Sequence, residues 1–496
     1  MKPTNEQQEI INAAVAGKNL AIQAAAGCGK SSSLKLIAEA LPKKNILYLV
    51  FNKDNADEAA KVFPANVECR TINSLAYRAI VKFPKSAFGK RLNGLTFSEI
   101  PFAKGVPEAL EGAYKLCVRN TITAFCNSWH RNLADFFANF DWTMIFEFLE
   151  VGEDCKEEFK EEFKDIVLSY WIELSSENSD KSISHDVYLK LYQLSEPLLV
   201  QYDLIMVDEF QDFNPVNLAI LQNQTHCQII VVGDPHQSIY GFRGAVNGFD
   251  YIPKSYTRLM LTESFRFTAE IAAIARKILK MKGADFPLVG LAEPREVTEN
   301  SSKAILCRTN LQIILYILTA IKENRKVYTN VDLNGVKSNL YHVEAVMYGK
   351  EPRFPARDLL HIKNNNDLYK FKEIDNDIRM LHDIVVTIKP IGGVYGFLEK
   401  AKEVLTTKDK ADYVLISGHR SKGMEFDTVD LSNDFGPKTD KKGNILTKEW
   451  VEKLLNDPQE INLLYIAVTR GKFKVGIERD VLGVIESWDW WRKQVA

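Results

Sequence analysis

The chain has 496 residues, which at roughly 150 residues per domain is enough for about three domains, or two that carry insertions. Hydrophobic residues make up 46% and charged residues 26%, so a disordered or fibrous chain is excluded for its bulk. With 63 Lys and Arg against 65 Asp and Glu the formal charge is -2, which excludes a uniformly basic coat and leaves room for a local basic groove.

Residues 1 to 20 hold Lys2, Glu6, Glu9 and Lys18 without a continuous apolar stretch, so no secretory signal is expected. The first apolar runs, 20–24 (LAIQA) and 46–51 (ILYLVF), each give way to turn residues and then to helix formers such as Leu34 to Leu41. That succession predicts strand, helix, strand. From about 90 to 195 the pattern changes to aromatic-rich helical periodicity, with Phe136, Phe137, Phe140, Ile145, Phe146 and Leu149. A helical insertion is expected there. Within it, Glu157, Glu158, Glu161 and Glu162 with Lys156, Lys160 and Lys164 read as a solvated helix face supported by i,i+4 pairs, without chemistry.

Strand-like runs return at Leu204 to Val207 and Ile229 to Val232, both ending in acidic or Gly-Asp clusters, as at the C-terminal edges of strands in a buried parallel sheet. Two distant segments are thus expected to share one sheet. After Leu261 the same grammar resumes at Ala304 to Arg308, gives way to a polar, charge-rich tract from about 325 to 395, and returns at Tyr413 to Ser417. None of these runs approaches the ~20 apolar residues that span a bilayer, so no membrane partner is expected. Seven scattered cysteines without a C-x-x-C pair fit reduced thiols, not a disulfide framework or a zinc module. The expected compartment is the cytoplasm, of a bacterium or a viral host, or the nucleus in a eukaryote.

Three clusters carry the chemistry. Ala24-Ala25-Ala26-Gly27-Cys28-Gly29-Lys30-Ser31 follows an apolar run and precedes a helical pattern, the context of a Walker A loop. Gly27 and Gly29 let backbone N–H groups turn inward, Lys30 neutralises β/γ-phosphate charge, and the Ser31 hydroxyl suits Mg2+. At the end of the next such run, Asp208 suits the magnesium shell and Glu209 suits a water attacking the γ-phosphate. This implies ATP hydrolysis. The third cluster runs from Val232 to Gly244, where Gln237 is a neutral side chain suited to sensing a terminal phosphate. His236 beside it has no companion at ligand spacing and reads as a loop residue.

Taken together, these clusters resemble motifs I, II and III of superfamily 1A DNA helicases of the UvrD/Rep/PcrA type. Thr4-Asn5-Glu6-Gln7-Gln8 looks like the Q motif, in which the residue matching Gln7 reads adenine. Downstream, 261–266 (LTESFR), 417–426 (SGHRSKGMEF) and 462–470 (NLLYIAVTR) look like motifs IV, V and VI. The wording is similar to the F-box DNA helicase branch at 50–53 (VFNK), 62–67 (VFPANV) and 185–191 (HDVYLKL). No F-box segment precedes the Q motif in this sequence, so the ubiquitin-ligase role is not carried over. Asn73 stands where the family usually has histidine, Phe265 where many members have tyrosine, and the second insertion is shorter than in UvrD.

The resemblance implies an α/β fold of two RecA-like P-loop NTPase domains, parallel sheets flanked by helices, each with an inserted subdomain. The expected division is 1–90 and 196–258 for the first motor domain around a helical insertion at 91–195, and 259–324 and 396–496 for the second around a small insertion at 325–395. ATP is implied between them, bound by Gln7, Ala25, Ala26, Gly27, Cys28, Gly29, Lys30, Ser31, Ser32, Phe265 and Glu425, with Mg2+ on Ser31 and Asp208. Lys30, Glu209 and Gln237 act from one side, and Arg266 and Arg470 reach from the other as coupling arginines. Single-stranded DNA is implied on Phe51, Asn52, Lys53, Thr71, His419 and Arg420, with Phe242 as the stacking residue. The expected partners are single-stranded DNA, junctions of single and double strands, and replication or recombination proteins. The expected activity is ATP-dependent unwinding with 3′ to 5′ movement, in DNA replication, recombination or repair. The alternatives are a translocase that strips proteins from single strands and a non-motor P-loop regulator, whose hydrolysis would ignore DNA.

Overall fold

A computed structural model describes residues 3–495 apart from 83–85, 105, 240, 242–245, 300, 332, 354–355, 357–358, 360 and 439–442. Contacts divide the chain into two units, Met1–Gln23 with Lys30–Met260, and Ala24–Gly29 with Leu261–Ala496.

The first unit is built on strands β1 (Leu20–Ala24), β2 (Ile46–Leu49), β3 (Val67–Arg70), β4 (Leu204–Val207), β5 (Gln228–Gly233) and β6 (Thr257–Leu261). Their order in the sheet is β3-β2-β4-β5-β1-β6. The pairs β1/β5, β4/β5, β2/β4 and β2/β3 are parallel, with Leu20 opposite Ile230, Leu204 opposite Gln228 and Ile46 opposite Leu204. Every residue of β2, β4 and β5 is buried, which explains why they read as unbroken apolar runs instead of alternating ones. The segments before and after the insertion do share this sheet.

The helices between β3 and β4 include Glu108–Asn127, Leu133–Ala138, Thr143–Phe148, Lys156–Ser175 and His185–Leu194. Phe136, Phe137, Phe140, Trp142, Phe146, Phe159 and Phe163 form a chain of ring contacts with centroids 5.0 to 6.0 Å apart. The aromatic periodicity is therefore a core, carried on short helices. The charged face pairs differently from the expected spacing. Lys160 meets Glu157 at 2.6 Å and Lys164 meets Glu161 at 2.7 Å, both i,i+3. The reason is local: the Lys160 and Lys164 ammonium groups also lie over Phe146 and Trp142, 5.6 and 6.0 Å from the ring centres, and that attraction favours this side of the helix. The buried Arg91 guanidinium donates to the carbonyls of Glu173, Leu174, Ser176 and Lys181 at 2.5 to 3.2 Å, satisfying acceptors that a helix end leaves open.

In the second unit a short parallel pair, β7 (Glu263–Ser264) and β8 (Val289–Gly290), precedes a sheet of β9 (Lys303–Cys307), β10 (Val327–Thr329), β11 (Tyr413–Ser417), β12 (Phe426–Leu431) and β13 (Gly471–Gly476). Its order is β10-β11-β9-β12-β13, all parallel. The charge-rich tract supplies helices Leu333–Met347, Asn365–Ile374, Asn376–Ile388 and Gly393–Val404. Two parallel sheets flanked by helices, one in each unit, are the α/β class that the sequence predicts. Among the described residues no helix is long and apolar enough to cross a membrane.

Helix Pro458–Val468 is buried from Ile461 onward and is held to the end of β9 by an ion pair. Arg308 Nε donates to Glu460 Oε2 at 2.9 Å, and Lys453 Nζ lies 3.1 Å from Glu460 Oε1. Burial opposes ionisation of Glu460, but Arg308, by hydrogen bond and charge, and Lys453 overcome it and hold the carboxyl at about 2. A carboxyl lowered by folding stabilises the native state above its unfolded value of about 4.3 and loses that effect as pH falls toward the native value. Wild type should therefore exceed Glu460→Gln in stability near neutrality, with the gap shrinking from about pH 4.3 toward 2. Chemical denaturation across that range checks this; a gap independent of pH contradicts it.

Candidate functional site

β1 delivers the chain into the turn at 25–29, where Ala25, Ala26 and Cys28 are buried and Gly27 and Gly29 take φ of +74° and +73°. Left-handed backbone at both positions needs glycine. Helix Lys30–Ala40 starts directly after them, and the positive end of its dipole favours an anion there.

Within the first unit, the C-terminal ends of β1, β4 and β5 bring the predicted acid and base groups together. Lys30 Nζ lies 3.4 Å from Glu209 Oε1. Ser31 Oγ donates to Asp208 Oδ2 at 2.7 Å, and the Glu209 N–H donates to Asp208 Oδ1 at 2.8 Å. The same Asp208 Oδ2 accepts the Tyr48 hydroxyl at 2.7 Å. Burial raises the Asp208 carboxyl, with Glu209 adding to the rise, while Lys30 and the Tyr48 and Ser31 hydrogen bonds oppose it. The Tyr48 phenol is pushed far above its ordinary value, first by burial and then by Asp208. It therefore remains a proton donor at any working pH. Ser31 and Asp208 are hard oxygen donors within hydrogen-bond distance of each other, a pair suited to Mg2+ completed by substrate phosphate and water. Among the described residues no group of three His, Cys, Asp or Glu forms an all-protein metal cage.

Gln237 is buried at the end of β5, its Nε2 donating to Asp234 Oδ2 at 2.8 Å. His236 Nε2 lies 3.5 Å from Gln23 Nε2 in a short turn, in line with its reading as a loop residue. Gln7 Oε1 accepts the Thr4 N–H at 3.1 Å in a capping box, and its Nε2 donates to Ser33 Oγ at 3.2 Å. Its amide thus fixes the start of the first helix to the helix that follows the phosphate turn. Ser32 is exposed on that helix.

The second unit brings motifs IV, V and VI together. Arg266 Nε donates to Glu425 Oε1 at 2.8 Å, Lys472 Nζ lies 3.4 Å from Glu425 Oε2, and Arg266 Nη1 donates to the Thr469 carbonyl at 3.4 Å. Burial opposes ionisation of Glu425, yet Arg266 and Lys472 hold its carboxyl below the usual range. Arg470, 1% exposed, donates to the carbonyls of Ile466 at 3.1 Å and Met424 at 3.3 Å. Phe265 is 54% exposed, an open aromatic face beside Arg266.

The expected strand contacts fall in both units. Phe51 and Lys53 are exposed at the end of β2, and Asn52 between them caps helix Lys53–Val62 by accepting the Asn55 N–H at 2.8 Å. Thr71 caps helix Ile72–Ala76 in the same way, accepting from Ser74 at 3.0 Å. Arg420 is exposed and donates to the Asn330 carbonyl, with His419 half-buried next to it. Phe242 lies outside the described residues. Two residues that sequence reasoning missed belong to the cluster around Asp208. Tyr48 is hidden as one aromatic in an apolar strand run, and Gln211, two residues past Glu209, carries no signal of its own in a single sequence.

Residues 4–251 match the UvrD/REP helicase N-terminal domain. The chain is similar to F-box DNA helicase protein 1 of Schizosaccharomyces pombe, 28% identical over 517 residues that take in 95% of this chain and 56% of that protein. It is similar to F-box DNA helicase 1 of Gallus gallus, 31% identical over 507 residues, 95% of this chain and 48% of that protein. A shorter likeness, 32% over 155 residues, joins 29% of the chain to 20% of the mitochondrial ATP-dependent DNA helicase HMI1 of Saccharomyces cerevisiae. The chain thus spans about half the length of the two F-box relatives.

Tyr48→Phe removes one of the donors to a buried carboxylate while keeping the ring. It should lower stability at pH 7 by about 1.5 to 3 kcal/mol, the range for hydrogen bonds to charged groups. The midpoint of urea denaturation measures it, and an unchanged midpoint would mean that the bond contributes nothing.

Proposed function

The chain belongs to the UvrD/REP helicase family, and on that premise we propose that it is an ATP-driven DNA helicase moving 3′ to 5′ on single-stranded DNA. Its two parallel sheets are those of two RecA-like domains. The observation that carries the proposal is the juxtaposition of Lys30 with Glu209 at 3.4 Å and of Ser31 with Asp208 at 2.7 Å: a phosphate-binding cation beside a base, and a pair of metal-suited oxygens beside both.

Without nucleotide, Lys30 and Glu209 neutralise each other. A bound triphosphate offers Lys30 a stronger anion, and the exchange leaves the Glu209 carboxylate able to accept a proton. Glu209 then takes the proton of the attacking water as its oxygen bonds to the γ-phosphorus and the bond to the β–γ bridging oxygen breaks, giving ADP and phosphate. Ser31 and Asp208 would hold Mg2+, which would supply charge neutralisation on the phosphates. The phosphate turn at 25–29 with Ser32 cradles the nucleotide, Gln7 and Phe265 take the base, and Gln237 senses the terminal phosphate. Arg266 and Arg470 now donate to Glu425 and to backbone carbonyls; in the working cycle they exchange these acceptors for γ-phosphate oxygens, which makes their position depend on nucleotide state.

Single-stranded DNA binds through phosphates and stacked bases, with Phe51, Asn52, Lys53, Thr71, Phe242, His419 and Arg420 as its contacts, and unwinding begins where single and double strands meet. Replication, recombination or repair of DNA is the setting, with proteins of those processes as partners.

Glu209→Gln should bind ATP and lose turnover by about 10²- to 10⁴-fold, the contribution of a positioned base. Lys30→Ala should lose turnover through loss of phosphate binding. Arg470→Ala should abolish unwinding while nucleotide binding persists. Strand displacement on duplexes with 3′ or 5′ tails, with and without ATP, tests the motor itself. Displacement of the 3′-tailed substrate alone, dependent on ATP, is expected; displacement from 5′ tails refutes the polarity, and none from either substrate refutes unwinding.

A further inference from the structure

Past the end of β4 the chain turns through Glu209 at φ +53° and ψ +43° into the short helix Phe210–Asp212. A non-glycine residue in this left-handed region is strained, and its surroundings must hold it there. The Gln211 side chain lies where it can do so. It is fully buried, its Nε2 donates to Glu209 Oε2, and its Oε1 accepts the Asp234 N–H at 2.9 Å. Asp234 in turn accepts the Gln237 Nε2 through Oδ2 at 2.8 Å and the His236 N–H through Oδ1 at 3.0 Å. One amide therefore links the end of β4 to the end of β5. The room for it comes from Gly233, where a Cβ would fall 2.3 Å from Gln211 Oε1 and 3.0 Å from the Phe210 nitrogen.

We infer that Gln211 is a positioning residue, which fixes the Glu209 carboxylate for proton acceptance and couples it to the Asp234–Gln237 turn. The inference rests on the reading of Glu209 as the base of ATP hydrolysis. The chemistry of an amide suits the task. It has a donor for the carboxylate and an acceptor for the backbone N–H, and it adds no charge to a cluster that already holds the carboxylates of Asp208, Glu209 and Asp234 beside the Lys30 ammonium.

The test is a double-mutant cycle on the full chain. Gln211→Met keeps the volume and loses both hydrogen bonds; Gln211→Glu keeps the acceptor for Asp234 and sets a second carboxylate against Glu209. Each is made alone and with Glu209→Gln, with turnover and KM for ATP measured alongside affinity for a fluorescent ADP analogue. In the Glu209 background turnover should fall about tenfold or more, with KM and ADP affinity within about twofold of wild type. In the Glu209→Gln background the same substitutions should cost less than about twofold, because there is no base left to position. Unchanged turnover overturns the inference, and so does a loss of equal size in both backgrounds. If Gln211→Met no longer binds ADP and so has lost its fold, Gln211→Glu alone decides. Wild-type turnover in Glu209→Gln itself overturns the reading of Glu209, and is seen before any Gln211 variant is made.

Discussion

Asp208 is a carboxylate drawn out of water at the end of a buried strand, and the first unit is arranged around keeping it compensated. Its two oxygens accept the Ser31 and Tyr48 hydroxyls and the Glu209 N–H, and the Lys30 ammonium opposes the rise that burial imposes on it. An uncompensated charge in such a place costs several kcal/mol. The compensating side chains come from other elements than the β4 end that carries Asp208: β2 brings Tyr48, and the helix after the phosphate turn brings Lys30 and Ser31. The parallel register is what aligns them, since β2, β4, β5 and β1 all end at the same edge of the sheet.

The same cluster sets two adjoining carboxylates, Asp208 and Glu209, beside the single Lys30 ammonium, a balance that the proposed Mg2+ and triphosphate would alter by adding charge on the Asp208 side and competing for Lys30. In the second unit a similar economy holds on a smaller scale: Glu425 is shared by Arg266 and Lys472, and Arg470 is buried on backbone carbonyls. Arg470 is thus held by neutral carbonyls and Arg266 by a carboxylate, and for Arg470 a phosphate would be the stronger acceptor.

Much of this was legible in the residues. The phosphate turn announces itself because its glycines, lysine and serine have separate physical tasks at fixed spacing, and β4 and β5 do because burial on both faces leaves uninterrupted apolar runs. Tyr48 was not legible, since an aromatic inside such a run reads as core and only the sheet order puts it beside Asp208. Gln211 was hidden for the same reason: its partners are Glu209 and Asp234, one near in sequence and one on another strand. The charged pairs on helix Lys156–Ser175 take i,i+3 and not i,i+4 spacing, and the rings over which the lysines lie, Phe146 and Trp142, are distant in sequence and so invisible to a pattern read along one helix. Asn52 and Thr71 show the limit of motif position: each is found as a helix cap, a local task that carries no mark of a strand contact.

The central claim is that hydrolysis at Lys30, Asp208 and Glu209 is coupled to a nucleic-acid strand. Phosphate release by the purified protein, followed continuously with saturating MgATP before and after addition of an unstructured single-stranded oligonucleotide, tests it most directly. The account predicts a release rate that rises steeply with oligonucleotide and saturates. The same rate with and without oligonucleotide would contradict it and leave a P-loop hydrolase that is not a motor.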